Sequence, residues 1–310
     1  EVGGEEFKVG AKGGYVTVDG KSIAGFPDRN IKIAVPNEQS YEHAGAGAKV
    51  TAREETDEET IDRMRERFDM LEDMTRATKK GDVKAMIVSG PPGVGKSFGV
   101  EAVLEKNSLF DKLAGNKIRF EVIKGASSAI GLYKVLYNNA DKNSVLVLDD
   151  CDTVLYDETS LNLLKAALDS CKKRKLSWNT DSALLRREGI PDQFEFQGSV
   201  IFITNLKFDN VRGKIKDHLA AIMSRCHYLD LTMDTMREKF LRCKQIVGDG
   251  MLDEYGFNKA EQAELLEYVY INRNRLRELS LRMVTKIADL RKMNPVKWKT
   301  YSESTCMRRV

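Results

Sequence analysis

Gly90-Pro91-Pro92-Gly93-Val94-Gly95-Lys96-Ser97 follows directly on the apolar run Ala85-Met86-Ile87-Val88-Ser89, and the reading of this junction decides the fold. Its spacing is that of a phosphate-binding loop: Gly90, four residues, then Gly95, Lys96 and Ser97. Glycines let the backbone turn tightly and bring successive N–H groups within reach of phosphate oxygens. A helix starting at the end of the loop adds its partly positive terminus. The candidate phosphate-binding set is therefore Gly90, Pro91, Pro92, Gly93, Val94, Gly95, Lys96, Ser97 and, opening the helix, Phe98. Lys96 is expected beside the outer phosphates, and the Ser97 hydroxyl on Mg2+. The bland alternative is a Gly-Pro turn that binds nothing; the order strand, loop, helix argues against it.

Downstream, a second strand is expected over residues 118–123. The segment after it holds Ile130, Gly131, Leu132 and Tyr133. It is either an ordinary helix start or an apolar grip on a substrate at the pore of a ring. The third strand, Val145-Leu146-Val147-Leu148, empties into Asp149-Asp150. Acids at the end of a buried strand, downstream of a phosphate loop, suit metal chemistry. Asp149 is expected to hold Mg2+ alongside Ser97, and Asp150 to orient or deprotonate an attacking water. Residues 171–198 then form a long excursion, in which Leu176-Ser177-Trp178 and Phe194-Glu195-Phe196 are expected to pair as a hairpin. An insertion of this length is seldom filler. The fourth strand, Val200-Ile201-Phe202-Ile203-Thr204, ends on Asn205, a residue suited to sensing a phosphate or positioning the water; a plain turn-forming Asn is the alternative. Arg225 stands between a helix and a fifth strand, residues 227–231. An arginine there cannot easily reach its own loop, but it can reach a neighbouring copy's and stabilise charge on a transferring phosphoryl group.

Upstream, Thr56 with Glu59 forms a capping box for a helix whose stripe is Ile61, Met64, Phe68 and Leu71. That helix is expected to serve packing. Residues 1–55 read as an arm or small β unit: Tyr15-Val16-Thr17-Val18 alternates as a strand into Asp19-Gly20, and Pro27, Pro36 and the Ala-Gly run 44–48 break up the remainder. The chain's end is helical, over 235–247, from Asn258, and over 275–292, before a basic tail from 294 to 310. Arg277 falls in the first turn of the last helix, where a cation opposes the helix dipole and an external anion is a natural partner.

The 310 residues, 42% hydrophobic and 31% charged, suit a globular chain with a sizeable core. No apolar run approaches the ~20 residues of a membrane span, and no secretion signal is visible at the start. Five scattered cysteines without a C-x-x-C pair, and three histidines, point to reduced thiols in a cytoplasmic protein without structural zinc. Net charge is only +3, but residues 272–310 hold eleven Lys/Arg against three Asp/Glu. Residues 171–187 hold Lys172, Lys173, Arg174, Lys175, Arg186 and Arg187 against Asp181 alone. Both regions suit a polyanionic partner such as nucleic acid; a solvated charged face is the alternative for each.

Assembled in this order, the residues resemble an AAA+ ATPase over positions 57–293. Residues 90–97 resemble the family's Walker A loop, residues 145–150 its Walker B strand, and Asn205 its sensor 1. Ser224-Arg225-Cys226 is similar to the arginine-finger motif of sliding-clamp loaders, and residues 275–282 look like the sensor-2 helix, with Arg277 the best match. The resemblance implies an α/β P-loop fold with a five-stranded parallel sheet between helices, followed by a small helical lid. It also implies ATP and Mg2+ at the junction between subunits of a homo-oligomeric ring, such as a hexamer. Residues 56–231 would form the nucleotide-binding domain and 232–293 the lid. Two departures stand out. Asp150 replaces the usual Glu, as in replication initiators, and only about seventeen residues follow position 293, too few for a clamp loader's collar. A lone ATPase module of this size suggests a replication-associated or virus-encoded member, remodelling or moving along nucleic acid. The alternatives are a polypeptide-threading remodeller and a slow ATP-gated loader or switch.

Overall fold

The computed structural model describes residues 8–10, 13–19, 29–34, 55–115, 117–206 and 214–308. The chain divides into two units, Glu1–Glu55 and Thr56–Val310.

In the first unit, strands β1 (Lys8–Gly10), β2 (Gly13–Asp19) and β3 (Asn30–Ala34) form an antiparallel sheet in that order. Asp19 sits opposite Asn30, and the Lys32 ammonium lies 4.5 Å from the centre of the Tyr15 ring. The expected turn at Gly20, the breaks at Pro27 and Pro36 and the Ala-Gly run lie outside the described residues.

The second unit is built on a five-stranded parallel sheet of β4 (Ala85–Ser89), β5 (Phe120–Lys124), β6 (Val145–Asp149), β9 (Ser199–Thr204) and β10 (His227–Asp230). Their spatial order is β10-β4-β9-β6-β5. The central strands are apolar throughout because helices cover both faces, so alternate residues serve different cores. Ala85, Ile87, Leu146, Leu148, Val200 and Phe202 face α4 (Ala129–Asn138), α5 (Glu158–Ala167) and α7 (Lys214–Met223). Met86, Val88, Val145, Val147, Ile201 and Ile203 face α1 (Asp57–Lys80) and α2 (Lys96–Asn107), which short α3 (Leu109–Leu113) follows. Each fully buried aliphatic side chain contributes about 1.5–3 kcal/mol.

The insertion forms the expected hairpin: β7 (Lys175–Ser177) pairs antiparallel with β8 (Gln193–Glu195), Leu176 opposite Phe194. A short helix, α6 (Ala183–Arg187), lies between them. The lid comprises α8 (Met236–Ile246), α9 (Lys259–Ile271), α10 (Leu281–Met293) and α11 (Trp298–Cys306), around a core of its own. Here the expectation of a basic tail after the lid is corrected. Trp298, Cys306 and Met307 are buried in the lid core, and Met307 makes a β-bridge with Leu276, so 294–308 completes the lid. The buried positions Trp298, Ser302 and Cys306 recur every four residues, which gives α11 an inward face despite its polar composition.

Among the described residues, no helix is long and apolar enough to cross a membrane.

Candidate active site

Register explains why three separate motifs meet. Strand β9 lies between β4 and β6, with Thr204 opposite Ser89 and Ile203 opposite Asp149. The residues that follow these strands, Gly90, Asn205 and Asp150, therefore emerge side by side at the carboxyl edge of the sheet, where open parallel sheets place their ligands.

The loop after β4 depends on two glycines. Gly93 and Gly95 have φ of +71° and +102°, a region side-chain-bearing residues rarely adopt. A Cβ on Gly93 would lie 2.7 Å from the Cβ of Ser280. Helix α2 then starts at Lys96 with no side-chain cap and no acid in its first turn. Helix α1 differs: its first turn holds Asp57, Glu58 and Glu59 and its capping box is complete. The start of α2 keeps free N–H groups and a positive dipole end for an anion.

Lys96 is buried, and its ammonium donates to Gly90 O (2.7 Å), Pro91 O (2.8 Å) and Asn205 Oδ1 (2.9 Å). Burial pushes it down to about 8, against the pull of Asp150 and Asp149. The Asn205 amide faces both ways, its Nδ2 donating to Asp150 Oδ1 at 2.8 Å. Ser97 Oγ donates to Asp149 Oδ1 at 2.9 Å. The other Asp149 oxygen lies 3.6 Å from Lys124 Nζ, which pairs more closely with Glu101 at 2.6 Å. The hydrogen bond to Glu101, more than Asp149, raises the Lys124 ammonium above its ordinary value. A buried carboxylate beside a hydroxyl is the hard-oxygen donor pair Mg2+ takes when phosphates complete its shell. Asp150 is exposed and holds φ of +51°, a conformation Asp tolerates better than most residues but still at a cost of ~1 kcal/mol.

Above this edge lies a cleft of about 810 Å³, whose walls include Phe68, Lys96, Asp149, Arg242, Gln245 and Arg282. Phe68, Arg242 and Gln245 carry no motif. Phe68 belongs to α1, which packs on the sheet as its sequence leads one to expect and also forms one wall of the cleft. Buried Arg242, from α8, stacks its guanidinium 3.4 Å from the centre of the Phe68 ring. It donates to Val94 O at 3.3 Å and Gln245 Oε1 at 2.9 Å, and burial lowers it to about 10. The Leu281 N–H, in the first turn of α10, donates to Gly93 O at 2.8 Å, so lid and phosphate loop touch through their backbones.

Several expectations are corrected. The last long helix starts at Leu281, not 275, and Arg277 precedes it, donating from its backbone to Cys306 O and from Nε to Met307 O. Arg277 is absent from the cleft walls, and Arg282, five residues further, lines them instead. Ser280, whose Oγ accepts from Met283 N, is the N-cap that sets this start. Leu132 and Tyr133 cannot grip a substrate: they are 1% and 0% exposed, and Tyr133 packs on Trp178 and Phe194 of the insertion. Trp178 is thereby engaged in packing. Arg174 leaves the basic surface too, buried with its guanidinium on Ala167 O and Gly198 O. Arg225 is exposed, donates to Ala221 O at 2.6 Å, and does not line the cleft. It precedes His227, which lies opposite Met86 at the start of β4, whereas the phosphate loop leaves the far end of that strand. Pro92, Gly95, Ser97 and Phe98 line the cleft, Phe98 with 80% of its surface exposed, while Val94 is turned into the core.

A family model describing the ATPase family associated with various cellular activities (AAA) matches residues 86–223. The chain is 37% identical over 279 residues to an uncharacterized 36.7 kDa protein of the nrdC-mobD intergenic region of Enterobacteria phage T4, covering 89% of this chain and 81% of that one. Among solved structures, domain III of the Thermotoga maritima replication initiation protein DnaA aligns with a TM-score of 0.42 and 12% identity, covering 76% of this chain and 85% of that one. The Aeropyrum pernix ORC1 protein in complex with DNA aligns at 0.40 and 12%, covering 77% and 61%. The family match runs from the strand before the phosphate loop to the end of α7, and so takes in Lys96, Ser97, Asp149, Asp150 and Asn205: the chain belongs to the AAA ATPase family.

Proposed function

We propose that this protein binds ATP with Mg2+ in the cleft between sheet and lid and hydrolyses it, with a second copy completing the site. The observation that carries the reading is the Asn205 amide, bonded at once to the Lys96 ammonium and the Asp150 carboxylate. One side chain thereby couples the group that would meet the outer phosphates to the group that would meet water. Lys96 would exchange its carbonyl partners for phosphate oxygens, which favour its charged form. Asp150 would accept the proton of the attacking water or orient it, and Asn205 would hold that water in line. Ser97 and Asp149 would hold Mg2+, which when bound neutralises charge on the phosphates. Arg282, not Arg277, would approach the nucleotide from the lid.

Arg225 would act across the junction between copies. Its exposure and its place one strand-length from its own phosphate loop support that assignment. Lys172, Lys173, Lys175 and Arg187 remain exposed on the insertion and would meet a nucleic-acid backbone. The burial of Leu132 and Tyr133 takes those two side chains out of any polypeptide grip by residues 130–133, leaving half-buried Ile130 as its one large apolar side chain.

The test is steady-state ATP turnover with and without single- and double-stranded DNA. Expected are turnover that Arg225→Ala removes while ATP binding persists, and partial recovery on mixing Arg225→Ala with Lys96→Ala copies. Unchanged turnover in Arg225→Ala would remove the role across the junction. Turnover indifferent to DNA would remove the nucleic-acid role.

A further inference from the structure

Asp152 is the last acid of Asp149-Asp150-Cys151-Asp152 and has so far had no part. It opens the short 3-10 turn Asp152–Leu155, just beyond β6, and does not line the cleft. Its Oδ1 accepts a 2.7 Å hydrogen bond from the hydroxyl of Thr204, the last residue of β9. Thr204 is 1% exposed, and the same hydroxyl oxygen accepts the Leu206 N–H at 3.0 Å. Leu206 O accepts in turn from Ser89 Oγ at 2.8 Å. The residues on either side of Asn205 are thus pinned, one to the turn after β6 and the other to the end of β4.

The logic lies in the hydroxyl. It has one proton and two lone pairs, and its rotation is free until a strong acceptor claims the proton. Asp152 claims it, which aims a lone pair at the Leu206 N–H and closes the turn that carries Asn205. Burial raises the Asp152 carboxyl above its ordinary range, while the Thr204 hydrogen bond lowers it. A half-buried acid held against desolvation, and bonded to one neutral hydroxyl, suits a role in orientation.

We propose that Asp152 is a positioning residue: through Thr204 it fixes the turn that aims the Asn205 amide between Lys96 and Asp150. The consequence for turnover rests on the reading of Asn205 and Asp150 as the pair that handles water. Asp152 would touch neither nucleotide nor water.

The experiment compares Asp152→Ala, Thr204→Val, their double variant and Asp152→Asn, reading kcat, ATP affinity and the Asn205 side-chain amide signals of nucleotide-free, 15N-asparagine-labelled protein. Asp152→Ala and Thr204→Val should each lower kcat about tenfold and leave ATP affinity within about threefold. The double variant should be no worse than either single one, because both cut the same chain. Asp152→Asn retains an oxygen that can accept from Thr204, and should restore at least half of kcat. The Asn205 amide signals should move in Asp152→Ala and return in Asp152→Asn. Additive losses, equal losses in affinity and kcat, or amide signals unmoved in Asp152→Ala would each overturn the proposal. Absence of hydrolysis in the unsubstituted protein would instead remove the reading of Asp150 and Asn205, and the amide signals would still decide whether Asp152 orients the turn.

Discussion

The two walls of the cleft are built on different principles. At the sheet edge, Lys96, Asp149, Asp150 and Asn205 each stand within seven residues of a strand end; parallel register brings the strand ends together, and the glycine turn after β4 returns Lys96 to them. On the lid, Arg242, Gln245 and Arg282 come from two helices, and their direction depends on where each helix starts and how it is rotated. A strand end is a fixed address: shifting the register by one residue would send every side chain into the other of two differently packed cores. A helix start is set by one cap, and moving it alters which arginine meets the cleft. The sheet edge is therefore expected to fail by losing chemistry, and the lid by losing its fold or its closure.

The largest effect should fall on the lid core. Trp298 is 2% exposed and packs edge-on against Tyr268, with ring centres 4.9 Å apart. Trp298→Ala should cost ~3–5 kcal/mol, read as a fall in denaturant midpoint, because the cavity is added to the lost transfer energy. If stability is unchanged, 294–308 is an appendage after all and the lid ends at α10. Next comes Lys96→Ala at the sheet edge. It should weaken ATP binding roughly a hundredfold, about 2.7 kcal/mol, with a smaller change in stability, because desolvation of the buried ammonium offsets what its three hydrogen bonds contribute. Fluorescent-nucleotide titration beside a thermal melt separates the two. A loss of stability as large as the loss of binding would erase the distinction between the walls.

The contrast also decides what can be read from sequence. Residues 85–97, 145–150 and 199–205 each combine a buried strand with candidate site residues at its end, so these strands are legible from local pattern. Their assembly into a five-stranded parallel sheet is what the family resemblance implies. The hairpin between the runs at 176–178 and 194–196 is equally legible, because two short apolar runs flank one excursion, but its register, with Leu176 opposite Phe194, is not. Tyr133 misleads because an aromatic in a loop-to-helix segment looks available until the insertion packs over it, a contact 45 residues away in sequence between Tyr133 and Trp178. Arg277 misleads because the stripe Leu276, Leu279, Met283 runs at helical spacing through the true start. The cap at Ser280, with Met283 N–H on its hydroxyl, is the signal that corrects it. Arg242 has no sequence signal: its stack on Phe68 joins positions 174 apart in the chain.

That difference yields a smaller, sharper test. Arg282→Ala should lower ATP turnover about tenfold, and Arg277→Ala should stay within about twofold, since one lines the cleft and the other bonds Met307 O. The reverse ranking would mean that α10 begins a turn earlier when nucleotide is bound. The smallest effect belongs to the exposed clasp between the walls, Arg65 of α1 and Asp249 beyond α8, 3.8 Å apart and about half exposed. Solvent screens such a pair, so Arg65→Ala should cost no more than ~0.5 kcal/mol in stability. Its signature is salt dependence: the difference between Arg65→Ala and the unsubstituted protein in denaturant midpoint should shrink as salt rises from about 0.05 to about 1 M, where the screening length falls to ~3 Å. A large, salt-insensitive loss would mean that Arg65 supports the wall by packing its stem on the cleft, as Arg242 does with its stack, and the two walls would then be joined by contact and not by charge.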